Sequence, residues 1–384
     1  MKSKFPIDKF KSLTTPFYYY DTDVLNNTLQ TLTQEAGKYN YQLHYAVKAN
    51  ANPRILSLIS RWGAGADCVS GGEIQAARDA GFPVDKIVFA GVGKADWEIN
   101  LGLDYGIFCY NVESIQELEV INELAKSKGK QVQVALRINP EVDAHTHHHI
   151  TTGTKEDKFG INRDQLEKAL DKLNTLEALR LIGIHFHLGS QITDLEPFQQ
   201  LCRQTLEIQE LFAKRGLKIE HLNFGGGLGI DYENPDEHSI PDFKTYFELF
   251  HTYFPSAPDQ QIHFEPGRSV VGQCGSLISK VLYVKEGSYK KFAVLDAGFT
   301  DLIRPALYGA YHQIENLTSD AREEIYEVVG PICESSDCFG KAIRLNEVKR
   351  GDLIALRSAG AYGEIMASQY NCRKLPKAYF SDLL

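Results

Sequence analysis

A chain of 384 residues, 43% of them hydrophobic, has the material for about two cored domains and is a globular protein rather than a disordered one. Its 41 basic residues against 50 acidic ones, net −9, exclude a polycationic face for nucleic acid or anionic lipid and favour solubility. No apolar run approaches a membrane span, MKSKFPIDKF lacks a signal-peptide core, and the seven scattered cysteines include no CxxC pair, so a cytoplasmic protein with reduced thiols, without membrane or nucleic-acid partners, is expected.

In chain order, Phe17-Tyr18-Tyr19-Tyr20 predicts a short aromatic strand, and Asp21-Thr22-Asp23 a helix start. A rhythm then begins. Strand-like runs recur at Leu43–Val47, Ala66–Val69, Ile87–Ala90, Ile107–Tyr110, Val132–Ile138, Leu181–Phe186, Ile219–Phe224 and Ile262–Phe264. Helical patterns lie between them, among them Glu73–Ala80, Asp96–Leu103, Ser114–Lys126, Asp164–Leu173, Glu196–Lys214 and Phe243–Phe254. Eight strands with intervening helices is the count of a (β/α)8 TIM barrel. After Val271 the segments become short, β-rich and separated by turns, as at Ser276–Tyr283, Lys291–Leu295, Glu324–Val329, Lys341–Ile343 and Asp352–Leu356. The expected fold class is therefore α/β: a TIM barrel over 29–270 plus an all-β domain, sandwich or barrel, over 271–384. Residues 1–28 are expected to supply that domain's N-terminal strand.

The working face of such a barrel is the C-terminal end of its strands. Read together, those ends carry Lys48, Asp67-Cys68, the run His185-Phe186-His187-Leu188-Gly189-Ser190, then Gly225-Gly226-Gly227, and finally Glu265-Pro266-Gly267-Arg268. A lysine at a strand end is ordinarily an exposed charge; in a partly apolar pocket its amine becomes a nucleophile or Schiff-base former. Three glycines are ordinarily a flexible turn, but they also let backbone N–H groups approach an anion. With Gly267-Arg268 at the next strand end, a phosphate could be held by the nest and the guanidinium together.

Lysine, phosphate nest, acidic strand end and imidazole are the parts of a pyridoxal 5'-phosphate site. Lys48 would carry the cofactor, Glu265 would pair with its ring nitrogen, His187 would stack on the ring face, and Ser190 would lie near the phosphate. His185 and His187 share a face of their strand, and either could instead be a hydrogen-bonded core histidine. The stretch His145-Thr146-His147-His148-His149 resembles a ligand cluster, but adjacent histidines on a loop diverge and no carboxylate or cysteine spacing completes a site, so no metal is expected.

Beyond these strand ends, YAVKAN at 45–50, GADCVSGGE at 65–73, HFHLGSQI at 185–192, GGGLGI at 225–230, EPGRS at 265–269, RPALYGAYH at 304–312, GPICESSD at 330–337 and SAGAYG at 358–363 stand in order along nearly the whole chain. This series resembles the diaminopimelate decarboxylases, members of the fold-type III, alanine-racemase-like pyridoxal phosphate enzymes. The resemblance implies decarboxylation of meso-2,6-diaminopimelate to L-lysine and CO2, the last step of lysine biosynthesis. It implies that Lys48, Asp67, His187, Ser190, Gly225, Gly226, Gly227, Glu265, Gly267, Arg268 and Tyr362 hold the cofactor. Arg268, Arg304, Tyr308, Glu334 and Tyr362 would bind the amino-acid substrate, and Cys333 would be the proton donor. It further implies an obligate homodimer in which Cys333 and Glu334 reach the partner's site. Alanine racemases place an arginine where Glu265 stands; a carboxylate there keeps the ring nitrogen protonated and suits decarboxylation.

Other readings differ in what they require. A decarboxylase for arginine, ornithine or carboxynorspermidine would not need RPALYGAYH and GPICESSD, and a cofactor carrier without turnover would need neither the β domain nor Cys333. A catalytically dead partner of an active relative would be expected to lack some of these residue types, and none is missing.

Overall fold

The computed structural model describes residues 5–142 and 158–384. The chain divides into two compact units, one formed by Leu29–Gly229 with Asp242–Gly267, the other by Met1–Thr28, Ile230–Pro241 and Arg268–Leu384. Of the strands, numbered in chain order, β1 (Phe17–Tyr20) belongs to the second unit. The next eight form the first: β2 (Gln42–Ala46), β3 (Gly65–Cys68), β4 (Ile87–Phe89), β5 (Cys109–Val112), β6 (Val132–Arg137), β7 (Leu179–His185), β8 (His221–Asn223) and β9 (Gln261–Phe264).

These eight strands close into a barrel in sequence order, each parallel to the next, and β9 returns to β2 through Gln42↔His263 and Leu43↔Phe264. Every barrel strand anticipated from the hydrophobic rhythm is present, with ends shifted by a residue or two. The strands are buried along most of their length, as parallel strands covered on both faces must be. The surrounding helices begin on local signals. Asn52 accepts from Arg54 N ahead of Pro53–Ser60, Ser70 from Glu73 N ahead of Gly71–Asp79, and Ser114 from Glu117 N ahead of Ile115–Ser127. One wall of the core is aromatic: the Phe250 ring lies tilted against Phe224 and edge-on to Phe264, with centroids 4.6 and 4.8 Å apart, so Phe243–Tyr253 is fixed against β8 and β9.

At the N-terminal end of the barrel three histidines form a directional chain. His44 Nδ1 lies 3.0 Å from Lys86 O, and its Nε2 lies 2.9 Å from His263 Nδ1. His263 Nε2 in turn lies 2.9 Å from His221 Nδ1. A carbonyl only accepts, so His44 carries its proton on Nδ1, and each neutral ring must then accept at Nε2 from the next.

In the second unit β1 pairs antiparallel with β10 (Gly275–Glu286) and parallel with β16 (Lys377–Phe380), so the aromatic N-terminal strand does lie in the β-rich sheet. The remaining strands are β11 (Lys291–Leu295), β12 (Ile314–Asn316), β13 (Glu323–Val329), β14 (Cys338–Asn346) and β15 (Leu353–Leu356). The path runs β12-β15-β10-β11-β13-β14. The first part of β10 pairs with β1 and β15, and from Val281 onward it pairs with β11, with a register shift between Val281 and Tyr283. Phe10, Phe17, Tyr19, Ile278, Leu353 and Ala355 form a core under the first part. The stretch Ile230–Pro241, which the strand–helix rhythm passes over, belongs to this unit.

Candidate active site

In the barrel unit, β2 ends at Ala46 and the chain makes a single 3-10 turn, Val47–Ala49, that carries Lys48. This turn rests on the end of β9: Ala46 N donates to Pro266 O at 3.1 Å. A Cβ on Gly267 would come within 3.0 Å of the Ala46 Cβ and 3.1 Å of the Ala49 Cβ, so a side chain there would press on the lysine's turn. Lys48 does not lie in an apolar pocket. Its side chain is 32% exposed and its amine stands 3.2 Å from Asp67 Oδ2. Asp67 is buried, and its Oδ1 has no hydrogen-bond partner among the described residues. Burial, helped by the charge of Glu265, raises the Asp67 pKa against the pull of Lys48.

Glu265, just past the end of β9, is buried and fully solvated by protein. Its Oε2 accepts from His185 Nε2 at 2.9 Å; its Oε1 accepts from Asn223 Nδ2 at 2.6 Å and Asn111 Nδ2 at 3.5 Å. Burial alone would raise its pKa, but His185, with Lys48 and His187 adding to it, holds the carboxyl well below the usual range. It is an anion whose ligands come from β5, β7 and β8.

The two histidines separate. His185 is the last residue of β7 and is the hydrogen-bonded core histidine that one reading of the strand allowed. His187, two residues past the strand, accepts from Gly226 N with Nδ1 at 3.3 Å. Withdrawal from water and the neighbouring Lys48 charge hold its imidazole well below its ordinary pKa, so the ring is neutral although part of the residue stays exposed. The glycine run has a structural cause in addition to any ligand. Gly225 has φ +70°, and a Cβ there would stand 2.2 Å from Phe186 O; at Gly226 it would stand 2.2 Å from Glu265 O. At Gly227 the nearest atoms, Gly189 O and Ile192 Cδ1, are 3.1 Å away, and Ile192 N donates to Gly227 O. Ser190 sits half-buried on that same β7 loop.

Lys48, Asp67, His187, Ser190, the three glycines, Glu265 and Gly267 therefore gather at the C-terminal mouth of one barrel. Asn111 and Asn223, which sequence reasoning passed over, complete the shell of Glu265; their signal was a buried asparagine within the last two residues of a barrel strand. The set fits pyridoxal phosphate. An amine, a carboxylate whose pKa is held down by its neighbours and so suits a pyridinium N–H, a neutral ring, and an Asp67 oxygen left without a partner among the described residues all lie at this mouth.

In the β unit two buried arginines share one tyrosine. Arg268 Nη1 donates to the Tyr232 hydroxyl at 2.5 Å, and its guanidinium lies 4.9 Å from the Tyr362 ring. Arg304, at the start of the short helix Arg304–Tyr308, lies 5.0 Å over the Tyr232 ring and donates from Nη1 to His312 Nε2 at 2.9 Å. Burial lowers the Arg304 pKa, and among the described residues no carboxylate pairs with it. Tyr308 ends the same helix, half-buried. Tyr232 and His312 were not singled out by their spacing.

Cys333 and Glu334 are exposed on a separate loop, and no hydrogen bond or ion pair among the described residues links them to that cluster. Glu334 Oε1 accepts from the Tyr370 hydroxyl at 2.7 Å. The loop is organised by buried Asp337, whose oxygens accept from Phe299 N and Ile332 N, each at 2.7 Å. The histidine-rich stretch 145–149 lies outside the described residues.

Comparison with known proteins agrees with this chemistry. Residues 23–272 match the family described as "Pyridoxal-dependent decarboxylase, pyridoxal binding domain". The chain is 64% identical to a diaminopimelate decarboxylase of Bacteroides thetaiotaomicron over 385 aligned positions, covering 100% of both chains. It is 40% identical to that of Aquifex aeolicus over 94% of this chain and 84% of the relative. A crystal structure of diaminopimelate decarboxylase from Helicobacter pylori complexed with L-lysine superposes with a TM-score of 0.91 at 40% identity, over 97% of this chain and 93% of that one. A lysine/ornithine decarboxylase of Vibrio vulnificus, at 21% identity and TM-score 0.84, shares the fold.

Proposed function

Because the chain belongs to the diaminopimelate decarboxylase family of pyridoxal-dependent enzymes, we propose that it releases CO2 from meso-2,6-diaminopimelate to give L-lysine. The observation that carries the choice of substrate is the buried guanidinium of Arg304, held by a neutral imidazole and a tyrosine ring. A buried cation with only neutral partners is a site for an anion. Diaminopimelate brings a second carboxylate for it, which ornithine, or lysine bound by its α-amino group, does not.

Pyridoxal phosphate supplies the electron sink for the bonding pair left when the carboxylate departs. The chain's own residues do the rest. Lys48 would hold the cofactor through its side-chain amine, which stands 3.2 Å from Asp67 Oδ2. Glu265, kept ionised by its ligands, holds a negative charge for the ring nitrogen and so favours its protonated state. His187 presents a neutral ring, while Asp67 steadies the Lys48 amine. Ser190, Gly225, Gly226, Gly227, Gly267 and Arg268 are assigned to the phosphate and its surroundings. Arg268 and Arg304 take the distal carboxylate, with Tyr308 and Tyr362 beside them, and Glu334 takes the distal ammonium.

Cys333 delivers the proton to the α-carbon, its exposed S–H acting as the general acid. Its exposed loop, separate from the arginine cluster, supports a homodimer in which Cys333 and Glu334 complete the partner's site. We assign the enzyme to lysine biosynthesis in the cytoplasm; no helix of the described residues is long and apolar enough to cross a membrane, and all seven cysteines are free thiols.

The test is CO2 release from meso-diaminopimelate, lysine and ornithine compared, with and without added pyridoxal phosphate. Turnover of diaminopimelate alone, dependent on the cofactor, is expected. Equal turnover of ornithine would overturn the assignment.

A further inference from the structure

The guanidinium of Arg304 is aimed by an uncharged relay. A guanidinium only donates, so the His312 nitrogen 2.9 Å from it, Nε2, must be the acceptor. A carbonyl only accepts, so His312 Nδ1, 2.8 Å from Arg357 O, must carry the proton. The two contacts fix one tautomer and one charge state. Burial, then the nearby Arg304 charge, pushes the His312 pKa down to about 3, in keeping with a ring that stays neutral.

The far end of the relay is itself immobilised. Arg357 N donates to Gln313 O at 2.8 Å, and the Arg357 side chain is clamped by Glu315 at 2.6 Å and Asp236 at 2.8 Å. On its flank His312 meets the Tyr232 ring edge-on at 5.2 Å, and the same tyrosine accepts from Arg268. A carboxylate in place of His312 would hold Arg304 more strongly but would consume its charge. An imidazole aims the guanidinium and leaves the positive charge for a ligand.

From this geometry we infer that His312, braced by Tyr232 and the Arg357 carbonyl, is a positioning residue that sets the enzyme's selection for a distal carboxylate. The inference rests on the reaction assigned above. It extends to the product: removing one carboxylate from diaminopimelate leaves lysine with the other amino-carboxylate intact, so lysine should engage Arg304 and cadaverine, which has no carboxylate, should not.

The test uses the holoenzyme. His312→Phe keeps a flat ring against Tyr232 but removes the acceptor, and His312→Gln restores an oxygen near the position of Nε2. In His312→Phe the KM for diaminopimelate and the inhibition constant of L-lysine should rise about 10- to 100-fold. Its kcat should move by less than about threefold, and cofactor absorbance and cadaverine inhibition should stay as in the parent. His312→Gln should recover most of the loss. Lysine and diaminopimelate affinities within about twofold of the parent in His312→Phe would overturn the inference. So would equal damage in both variants accompanied by loss of cofactor absorbance, which would mark a merely structural role. A parent that favours lysine over cadaverine through His312, yet releases no CO2 from diaminopimelate, would sink the assigned reaction and leave the carboxylate site standing.

Discussion

His185 Nε2 donates to Glu265 Oε2 at 2.9 Å, with the two side chains only 1% and 2% exposed, so the anion at the end of β9 is made by a residue on β7. The His185 Nδ1 has no hydrogen-bond partner among the described residues. The ring can therefore shift its proton to Nδ1 and accept at Nε2 when Glu265 becomes an amide. Glu265→Gln should fold and bind pyridoxal phosphate while losing the negative charge. A drop in kcat of roughly 10²- to 10³-fold is expected, with a melting temperature close to the parent's. Stopped-assay CO2 release and thermal denaturation measure the two; a Gln variant with parental kcat would remove Glu265 from the mechanism.

Arg304 and Lys48 should fail in different ways. Arg304→Ala removes the cation over Tyr232, so kcat/KM on diaminopimelate should fall roughly a hundredfold or more while the cofactor's absorbance is retained. Lys48→Ala should lose the covalent cofactor absorbance and turnover together. Absorption spectra of the two purified variants decide it, and an active Lys48→Ala protein would end the reading of the site.

How far the sequence carried this site depends on what each residue's neighbours are. The barrel was legible because eight apolar runs alternate with helical patterns, and strand ends in that fold share one mouth; Lys48, Asp67, Glu265 and the glycines follow from topology alone. Periodicity tells which way a side chain faces but not which residue stands across from it. The division of labour between His185 and His187 thus depended on where β7 ends, and Asn111, Asn223, Tyr232 and His312 gained meaning only from partners far along the chain. The glycines were read as an opening for phosphate, whereas Phe186 O and Glu265 O show that close strand-end packing already requires them at Gly225 and Gly226.

The histidine chain at the far end of the barrel predicts a stability loss in mild acid. Burial lowers the pKa of His44 and His263, both 4% exposed, and of the more open His221. Their folded pKa values lie below the unfolded value of about 6.5, so the unfolded chain takes up protons that the folded chain refuses. Their contribution is complete above about pH 6.5 and is lost as pH falls below it, at up to about 1.4 kcal/mol per pH unit for each buried ring. Urea unfolding between pH 7.5 and 5.5 should show that slope. His44→Phe, whatever it does to absolute stability, should make the slope shallower; an unchanged slope would mean that the chain does not titrate in this range.

Asp337 should govern Cys333 without touching it. Its carboxylate ties Phe299 N and Ile332 N, and the Gly330 N donates to its carbonyl at 3.1 Å, so one residue closes the loop that carries Cys333 and Glu334. Asp337→Ala leaves two backbone donors unpaired, at about 1–3 kcal/mol each where they stay buried, and Asp337→Asn turns one acceptor into a donor facing an N–H. Both variants should release the loop: kcat is expected to fall about tenfold or more, with cofactor absorbance kept and Cys333 alkylated faster by a small thiol reagent. Cysteines buried in the core, such as Cys68 and Cys274, should remain protected and serve as the internal control. If kcat holds in Asp337→Ala while Cys333→Ala abolishes turnover, the loop needs no such tie, and the placement of the thiol must come from elsewhere.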